Sequence, residues 1–340
     1  MKVSVIIPTY NRADMVGAAV RSALGQSHAP HEVIVVDDGS TDGTAWVLAE
    51  FGARIVVIRQ ANGGVSAARN AGIARASGDV VAFLDSDDTW EPWKVAAQVA
   101  CFARHPELVL VGTNARQVGP GGFERADYMR QYSVYRYEAP LSQRFGRSEI
   151  AVNGGMAVLL HGDFAGAMFL GNFFVTSTVM VRREALARAG DFDPAMRNAG
   201  EDYDLVWRVC ELGPAGVLDA DCIRFWRGGG DHLHATPQMA LSNLLAIGKY
   251  LARHPQGPDL PAGMVAERMA DAQAWAGRSL FDHDRLVEAR PYLWEAVRRG
   301  GGGMRARVYL VLSWMPGFVT GAMRWALRAA KRVKQGMTGR

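Results

Sequence analysis

The chain has little cysteine and few long apolar runs. Its three cysteines, Cys101, Cys210 and Cys222, are scattered and lack the spacing of a metal–thiolate site. An odd number of separated cysteines fits a reduced setting better than a disulfide-stapled secreted protein. The apolar stretch from Val3 to Ile7 is too short for a signal peptide. We therefore expect a cytoplasmic protein.

A strong overall charge is also missing, because 38 basic and 34 acidic residues leave a net charge of +4. Residues 301–340 contain eight Lys or Arg and no acid, so the first 300 residues sum to −4 (+4 minus +8). This balance argues against a nucleic-acid partner for the main part of the chain. The length of 340 residues suits one large domain with an appendage.

Short apolar runs alternate with helical patterns through the first 112 residues. The runs predict buried strands over 2–8, 33–36, 55–58 and 80–84. Such alternation indicates right-handed βαβ units and a parallel sheet flanked by helices. Beyond this half, residues 113–171 show weak periodicity, and strands are predicted over 173–181 and 222–226. From residue 236 to 300 the pattern is that of a helical extension.

The fourth predicted strand ends in an acidic segment, Asp85-Ser86-Asp87-Asp88. An unpaired charge is too costly to bury, so these acids should emerge at the carboxyl edge of the sheet, where α/β folds bind ligands. Three carboxylates within four residues suit a hard cation such as Mg²⁺ or Mn²⁺. The alternative is a polar turn with a helix N-cap at Asp88.

Polar segments follow the other strands and should meet at the same edge. Tyr10 offers a ring for stacking, Asp38 a polar edge, and Arg69 a positive charge. Together with a cation, these groups suit a nucleoside diphosphate. No G-x-G-x-x-G follows the first strand, which makes a dinucleotide a poorer fit.

These segments, in this order, resemble the N-terminal signature of family 2 glycosyltransferases with the GT-A fold. They are Pro8-Thr9-Tyr10-Asn11-Arg12, Asp37-Asp38-Gly39-Ser40, Asn62-Gly63-Gly64 to Asn70-Ala71-Gly72, and the acidic segment. The resemblance spans about residues 3–235. It implies a GT-A, Rossmann-like fold with a nucleotide-sugar-binding half over 1–112 and an acceptor-binding, catalytic half over 113–235.

The resemblance also implies roles for single residues. The donor-binding residues would be Thr9 and Tyr10 at the base pocket, Asp38 on the base, Arg69 on the nucleotide and Asp85 on the ribose or sugar. Asp87 would ligate the metal, with Asp88 as a further candidate. The alternatives are a loop aromatic for Tyr10, a turn residue for Asp38 and a solvated helix residue for Arg69.

A second constellation is Glu201-Asp202 at the start of a predicted helix. It resembles the family's Glu-Asp segment, in which the Asp is the general base, and this places Glu201 on the acceptor side. The helix dipole favours an ionised Asp202, the form that accepts a proton. The alternative is an ordinary N-terminal helix acid. The family also places a histidine near the metal, and His232 or His234 is the candidate, although a glycine run makes a flexible loop equally compatible.

The expected activity is metal-dependent, inverting transfer of one sugar from a nucleotide-sugar donor to a glycan or lipid-linked acceptor. A sugar nucleotidyltransferase and a non-catalytic binding protein are the alternatives. Residues 301–340 form a basic, amphipathic tail, and its apolar stretch, 308–323, is short for a bilayer span and broken by Pro316. We expect membrane-surface contact through 305–334, the alternative being a packed terminal helix.

Overall fold

The computed structural model describes residues 1–126, 128, 144–196, 199–228 and 236–315. The chain divides into two compact units, Met1–Asp231 and His232–Arg340. The first unit carries all the strands of the described part and is built around a single sheet. The second unit contains only helices among its described residues.

The sheet of the first unit has eleven strands among the described residues. They are β1 Val3–Thr9, β2 Glu32–Asp37, β3 Val56–Arg59, β4 Val80–Phe83, β5 Thr89–Trp90, β6 Leu110–Gly119, β7 Phe123–Arg125, β8 Phe145–Val152, β9 Gly155–Gly162, β10 Met180–Arg182 and β11 Ala215–Trp226. The main path runs β3-β2-β1-β4-β10-β6-β11-β9-β8, while β5 pairs with β11 and β7 with β6.

The first four strands are parallel, as the alternation in the sequence predicts. β1 and β4 are buried along their whole length, which explains why their sequences are continuous apolar runs rather than alternating ones. Antiparallel pairing enters with β10, which lies between β4 and β6. The predicted α/β class, with parallel strands flanked by helices and with C-terminal helices, is confirmed.

Seven helices of the first unit connect these strands in the described part of the chain. They are α1 Val16–Leu24, α2 Thr44–Ala49, α3 Val65–Arg75, α4 Lys94–Arg104, α5 Ala165–Met168, α6 Arg183–Ala189 and α7 Glu201–Cys210. α3 packs closely on β1, because a Cβ added at Gly72 would lie 2.4 Å from Cγ2 of Ile6. A glycine at this position lets the helix approach the sheet closely, and this contact sets the position of the side chains of α3 relative to β1.

The strand prediction over 173–181 is wrong for most of its length. Only Met180–Arg182 pairs in the sheet, and Thr176–Thr178 forms a 3₁₀ turn. Phe173 and Phe174 are buried without pairing in the sheet, so the apolar run reports packing into the core rather than a strand. Residues 113–171, whose periodicity in the sequence is weak, include most of β6 and the hairpin formed by β8 and β9.

The second unit consists of α8 Pro237–Arg253, α9 Ala262–Asp282, α10 Leu286–Arg298 and α11 Gly303–Leu312 in its described part. Helices α8, α9 and α10 confirm the helical pattern predicted for residues 236–300. α9 and α10 pack through a small core in which Leu280, Phe281 and Leu293 are buried. No described helix combines the length and the apolar character that crossing a bilayer requires.

Candidate active site

The loops after β1 and β2 are joined by side-chain hydrogen bonds. Asn11 adopts a left-handed conformation (φ 51°), and its Oδ1 accepts from the Thr41 backbone N–H at 2.8 Å. Ser40 Oγ accepts from the Asn11 N–H at 2.9 Å in return. Asn11 therefore connects two strand ends. The start of α1 has no side-chain cap.

Asp38 organises the loop that follows β3. Its carboxylate accepts hydrogen bonds from the Gln60 side chain at 2.7 Å and from the backbone N–H groups of Gly63 and Gly64 at 3.0 and 2.8 Å. Asp38 is almost fully buried. The carboxylate thus holds the loop leading into α3 directly beside β2, and contact between Asp38 and a nucleotide base stays a prediction.

Thr9 and Tyr10 lie at the end of β1. Thr9 is buried, and its Oγ1 has no hydrogen-bond partner within the described part of the chain. The Tyr10 side chain is 46 % exposed, so a planar ring can reach it. The base-pocket roles predicted for these two residues are compatible with this exposure pattern and stay predictions.

Arg69 is the centre of the site's electrostatics. Its guanidinium donates to Asp85 Oδ1 at 2.7 Å and to Glu201 Oε1 at 2.8 Å, although these two acids are far apart in sequence. Burial on its own lowers the pKa of Arg69, but the two carboxylates outweigh this effect and hold the pKa above its ordinary value. Arg69 is thus a permanent buried cation that joins the end of β4 to the start of α7.

The ring of Phe192 packs against Arg69, with its centroid 5.2 Å from the guanidinium carbon. Phe192 is held in turn by Asn70, whose side-chain amide exchanges two hydrogen bonds of 2.9 Å with the Phe192 backbone. The Asp191-Phe192-Asp193 segment is therefore fixed against α3. This contact places a conformationally restrained aromatic ring beside the buried cation.

Asp88 differs from the two acids that precede it. It is buried, and its two oxygens accept from Ser177 Oγ at 2.6 Å and from the Trp226 N–H at 2.8 Å. Burial, together with the nearby charges of Asp87 and Asp85, raises the pKa of Asp88 well above its usual value. With both oxygens engaged, Asp88 links β11 to the acidic segment, and its assignment as a metal ligand stays a prediction.

The 3₁₀ turn Thr176–Thr178 connects the two acidic groups of the site, and sequence reasoning missed it. Ser177 Oγ donates to Asp88 and accepts from the Asp85 N–H at 3.0 Å, and Thr176 Oγ1 donates to Asp202 Oδ2 at 3.0 Å. The signal in the sequence is the hydroxyl triplet Thr-Ser-Thr inside an apolar run. Hydroxyls buried at a site edge need polar partners, and here the partners are the candidate catalytic acids.

Glu201 and Asp202 open α7 directly after Gly200, which adopts a left-handed conformation (φ 76°). Asp202 is half-buried, and the Tyr203 N–H donates to its Oδ1 at 2.7 Å. Burial and the charge of Asp202 raise the pKa of Glu201, although Arg69 opposes the shift. Because Glu201 faces Arg69, the described geometry gives it a charge-balancing position; its acceptor-side role stays a prediction.

Asp204, two residues after Asp202, is buried and forms an ion pair with Arg208 at 2.9 Å. The contacts shown for Asp204 are therefore structural. The two histidine candidates, His232 and His234, lie outside the described residues.

A buried lysine lies behind the Thr176–Thr178 turn. Lys94 is fully buried, donates to Gln98 Oε1 at 2.7 Å and lies 3.9 Å above the Trp90 ring. Gln98 in turn donates to the Thr178 carbonyl at 2.8 Å, and the Trp90 indole N–H donates to the Ser177 carbonyl at 2.9 Å. Burial lowers the pKa of Lys94 to about 7. These groups hold the turn that positions Asp88 and Asp202.

Comparison with known proteins finds similarity to one family over part of the chain. The model for "Glycosyl transferase family 2" matches residues 4–164. An uncharacterized glycosyltransferase of Nostoc is 46 % identical over 106 residues, which is 30 % of this chain and 33 % of the relative. The putative teichuronic acid biosynthesis glycosyltransferase TuaG of Bacillus subtilis is 48 % identical over 101 residues, 28 % of this chain and 40 % of the relative. The matched region thus spans well under half of either relative.

Among solved structures, S. aureus TarS 1-349 is similar in fold. The superposition has a TM-score of 0.59 at 18 % identity and covers 92 % of this chain and 85 % of that TarS 1-349 chain. The same protein has also been solved in complex with UDP-GlcNAc, and that structure matches with a TM-score of 0.52 at 16 % identity, covering 92 % of this chain and 91 % of the other. At this identity the likeness shows the fold.

Replacing Arg69 should be far more damaging than replacing an exposed arginine of the same helix. Arg69→Met leaves Asp85 and Glu201 without their cation, and breaking a buried pair in this way costs about 3–5 kcal/mol. Arg75→Met is the matched control, because Arg75 is 52 % exposed in its 3.6 Å pair with Glu32, and such pairs contribute about 0–1 kcal/mol. Urea unfolding of both variants measures the difference, and equal losses would contradict the central role of Arg69.

Lys94 should make stability depend on pH. Its pKa is about 7 in the folded protein and about 10.4 when unfolded, so the unfolded chain binds more protons between these values and stability rises with pH. From pH 7 to 9 the wild-type free energy of unfolding should increase by about 2 kcal/mol relative to Lys94→Met. Unfolding curves of both proteins at the two pH values test this, and parallel pH profiles would show that Lys94 does not titrate in this range.

Proposed function

We propose that this chain, whose residues 4–164 match the model of family 2 glycosyltransferases, transfers one sugar from a nucleoside-diphosphate sugar to an acceptor hydroxyl. The transfer inverts the anomeric carbon, as the resemblance of the motifs implies. A single direct displacement needs a donor site and a base on opposite sides of that carbon. The segment Asp85–Asp87 supplies the donor side, and Asp202 supplies the base.

One observation carries the proposal, namely the double contact of Arg69 with Asp85 and Glu201. It ties the acidic strand end to the helix that begins with Glu201 and Asp202. Both groups that the reaction requires are thus held in one rigid frame rather than on independent loops. Such preorganisation reduces the cost of arranging donor and base at the moment of reaction.

The donor is proposed to be a UDP-sugar in the first instance, since the similarly folded TarS has been solved with UDP-GlcNAc. The exposed ring of Tyr10 would stack on the base. The hydroxyl of Thr9, which has no hydrogen-bond partner among the described residues, would bond to it. Asp38 would set the depth of the pocket through the loop that it holds. Asp85, which Arg69 fixes, would contact the ribose or the sugar.

A divalent cation, Mn²⁺ or Mg²⁺, fits the acidic segment. Asp85 and Asp88 are engaged with Arg69, Ser177 and Trp226, so the described residues do not form a closed protein cage. Mg²⁺ is commonly held by one or two carboxylates together with substrate phosphates, which suits Asp87. When bound, the cation would offset the negative charge on the departing diphosphate.

Asp202 is proposed to accept the proton of the attacking hydroxyl. An ionised carboxylate has about four lone-pair positions, and the hydrogen bonds from Thr176 and Tyr203 use two of them. Those bonds fix the orientation of the carboxylate and leave it able to accept a third proton donor. Glu201 would keep Arg69 in place from the acceptor side.

The acceptor is proposed to be a cell-surface glycan or a lipid-linked saccharide. The first support is the relative named for teichuronic acid biosynthesis. The second is α11, which exposes apolar residues: Met304, Val308 and Val311 recur at helical spacing and are 43–70 % exposed. The exposed Arg305 and Arg307 on the same helix suit anionic lipids.

We therefore propose that the protein works in the cytoplasm, peripherally on the membrane, through the surface predicted at 305–334. The part of this surface beyond residue 315 lies outside the described residues.

Donor turnover tests the proposed reaction. The full chain is incubated with Mn²⁺ and each of several UDP-, GDP- and dTDP-sugars, and release of the free nucleoside diphosphate is followed. We expect one donor to be hydrolysed slowly, with Asp202→Asn about 10²-fold or more slower because the base is lost, while nucleotide binding persists. Asp191→Asn, an exposed acid of the neighbouring segment, is the matched control and should be unchanged.

The released product separates the alternatives. Pyrophosphate release from a nucleoside triphosphate and a sugar 1-phosphate, supplied in place of the nucleotide-sugar, would identify a sugar nucleotidyltransferase. Binding of a nucleotide-sugar without release, even with candidate acceptors present, would favour a non-catalytic binding protein. Wild-type turnover in Asp202→Asn would remove the base from the mechanism.

Vesicle co-sedimentation tests the membrane proposal. We expect binding to vesicles containing anionic phosphatidylserine and little binding to neutral phosphatidylcholine vesicles, with weaker binding at high salt because the attraction is screened. Val311→Glu should reduce the bound fraction severalfold, because it puts a charge on the apolar face. Val57→Glu, at an exposed valine of β3, is the control, and equal effects of the two substitutions would contradict a role for α11.

A further inference from the structure

A second polar cluster lies at the opposite edge of the sheet from the acidic segment. β6 runs parallel to β4, because both pair antiparallel with β10. Asp85 follows the carboxyl end of β4, whereas His105 and Glu107 precede the amino end of β6. The cluster is completed by His161 of β9, so it is separate from the donor edge.

The three residues bring metal-ligating atoms together. One ligand atom each from His105, Glu107 and His161 lies within 4.8 Å of the other two, and no other such group occurs in the described part of the chain. A tetrahedral ion with bonds of about 2.0–2.2 Å needs donors about 3.3–3.6 Å apart. Glu107 is exposed over 55 % of its side chain, so it has room to make that adjustment.

The two imidazoles converge on one point. The Nε2 atoms of His105 and His161 lie 2.8 and 3.1 Å from the same oxygen, Ser148 Oγ, and the ring centroids are 4.0 Å apart. Glu107 Oε1 lies 3.2 Å from His105 Nδ1. The two Nε2 atoms thus face Ser148, while the Glu107 carboxylate lies on the Nδ1 side of the His105 ring.

The backbone is shaped to admit the His161 ring. Gly146 pairs with His161 across the β8–β9 hairpin. A Cβ added at Gly146 would lie 2.7 Å from Cε1 of His161. The turn that carries Glu107 is fixed as well, because Arg182 donates to the carbonyls of Pro106 and Leu108 at 2.7 and 2.8 Å.

We propose that His105, Glu107 and His161 form a binding site for a divalent transition metal of the Zn²⁺ class. Two imidazole nitrogens and one carboxylate, with a free fourth position for water, match the ligand preference of Zn²⁺, whereas Mg²⁺ prefers oxygen ligands. The bound ion would fasten the hairpin of β8 and β9 to the end of α4. This hairpin belongs to the half of the domain predicted to bind the acceptor.

Direct titration with Zn²⁺ alone tests the site. The full chain is titrated with Zn²⁺ against a chromophoric chelator, in excess Mg²⁺ to occupy the acidic segment. We expect one equivalent to bind, with affinity reduced at least about tenfold in His161→Gln and in Glu107→Gln. His31→Gln, at an exposed histidine of the same unit, should bind as the wild type does.

Circular dichroism of each variant checks that it is folded, and the exposed position of Glu107 makes Glu107→Gln a variant whose folding should be undisturbed. Thermal unfolding gives a second readout, since Zn²⁺ should raise Tm in the wild type and in His31→Gln but not in His161→Gln. Absence of Zn²⁺ binding, or equal binding by all four proteins, would overturn the proposal. Loss in His161→Gln with full retention in Glu107→Gln would overturn the three-ligand site.

Discussion

The organisation of the donor edge depends on one buried cation. Arg69 is held between Asp85 and Glu201, at a point where several carboxylates from distant parts of the chain approach one another. Without it, two acids would be brought together at the edge of an apolar core with no compensating charge. The helix that presents Arg69 is placed by the contact of Gly72 with Ile6. Sheet packing and site electrostatics are therefore coupled through one helix.

A second set of hydrogen bonds connects the acidic segment to Asp202, the candidate base. The Thr176–Thr178 turn bonds through its hydroxyls to Asp85, Asp88 and Asp202. The turn is itself held by buried side chains. Trp90 and Gln98 donate to its carbonyls, and Lys94 donates to Gln98. Because these groups are buried, the core orients the acids of the candidate site, which is the arrangement that a preorganised active site requires.

The sequence predicted the parallel strands well, because each of them contains an apolar run that is followed by polar residues. It could not predict that Asp38 binds the loop before α3, or that Glu201 faces Arg69, since both depend on contacts between distant segments. The apolar run around Phe173 was misread because burial alone does not distinguish a strand from a packed turn. The contacts of Asp88 with Ser177 and Trp226 could not be predicted either, because they join segments that are distant in sequence.

The most direct test of the account is a crystal structure with UDP and Mn²⁺ bound, with anomalous data to locate the metal. The account predicts an anomalous peak beside Asp87 and the diphosphate, the uracil ring against Tyr10, and Arg69 still joined to Asp85 and Glu201. A nucleotide bound elsewhere in the chain, or a metal peak that contacts none of the acids from Asp85 to Asp88, would contradict it.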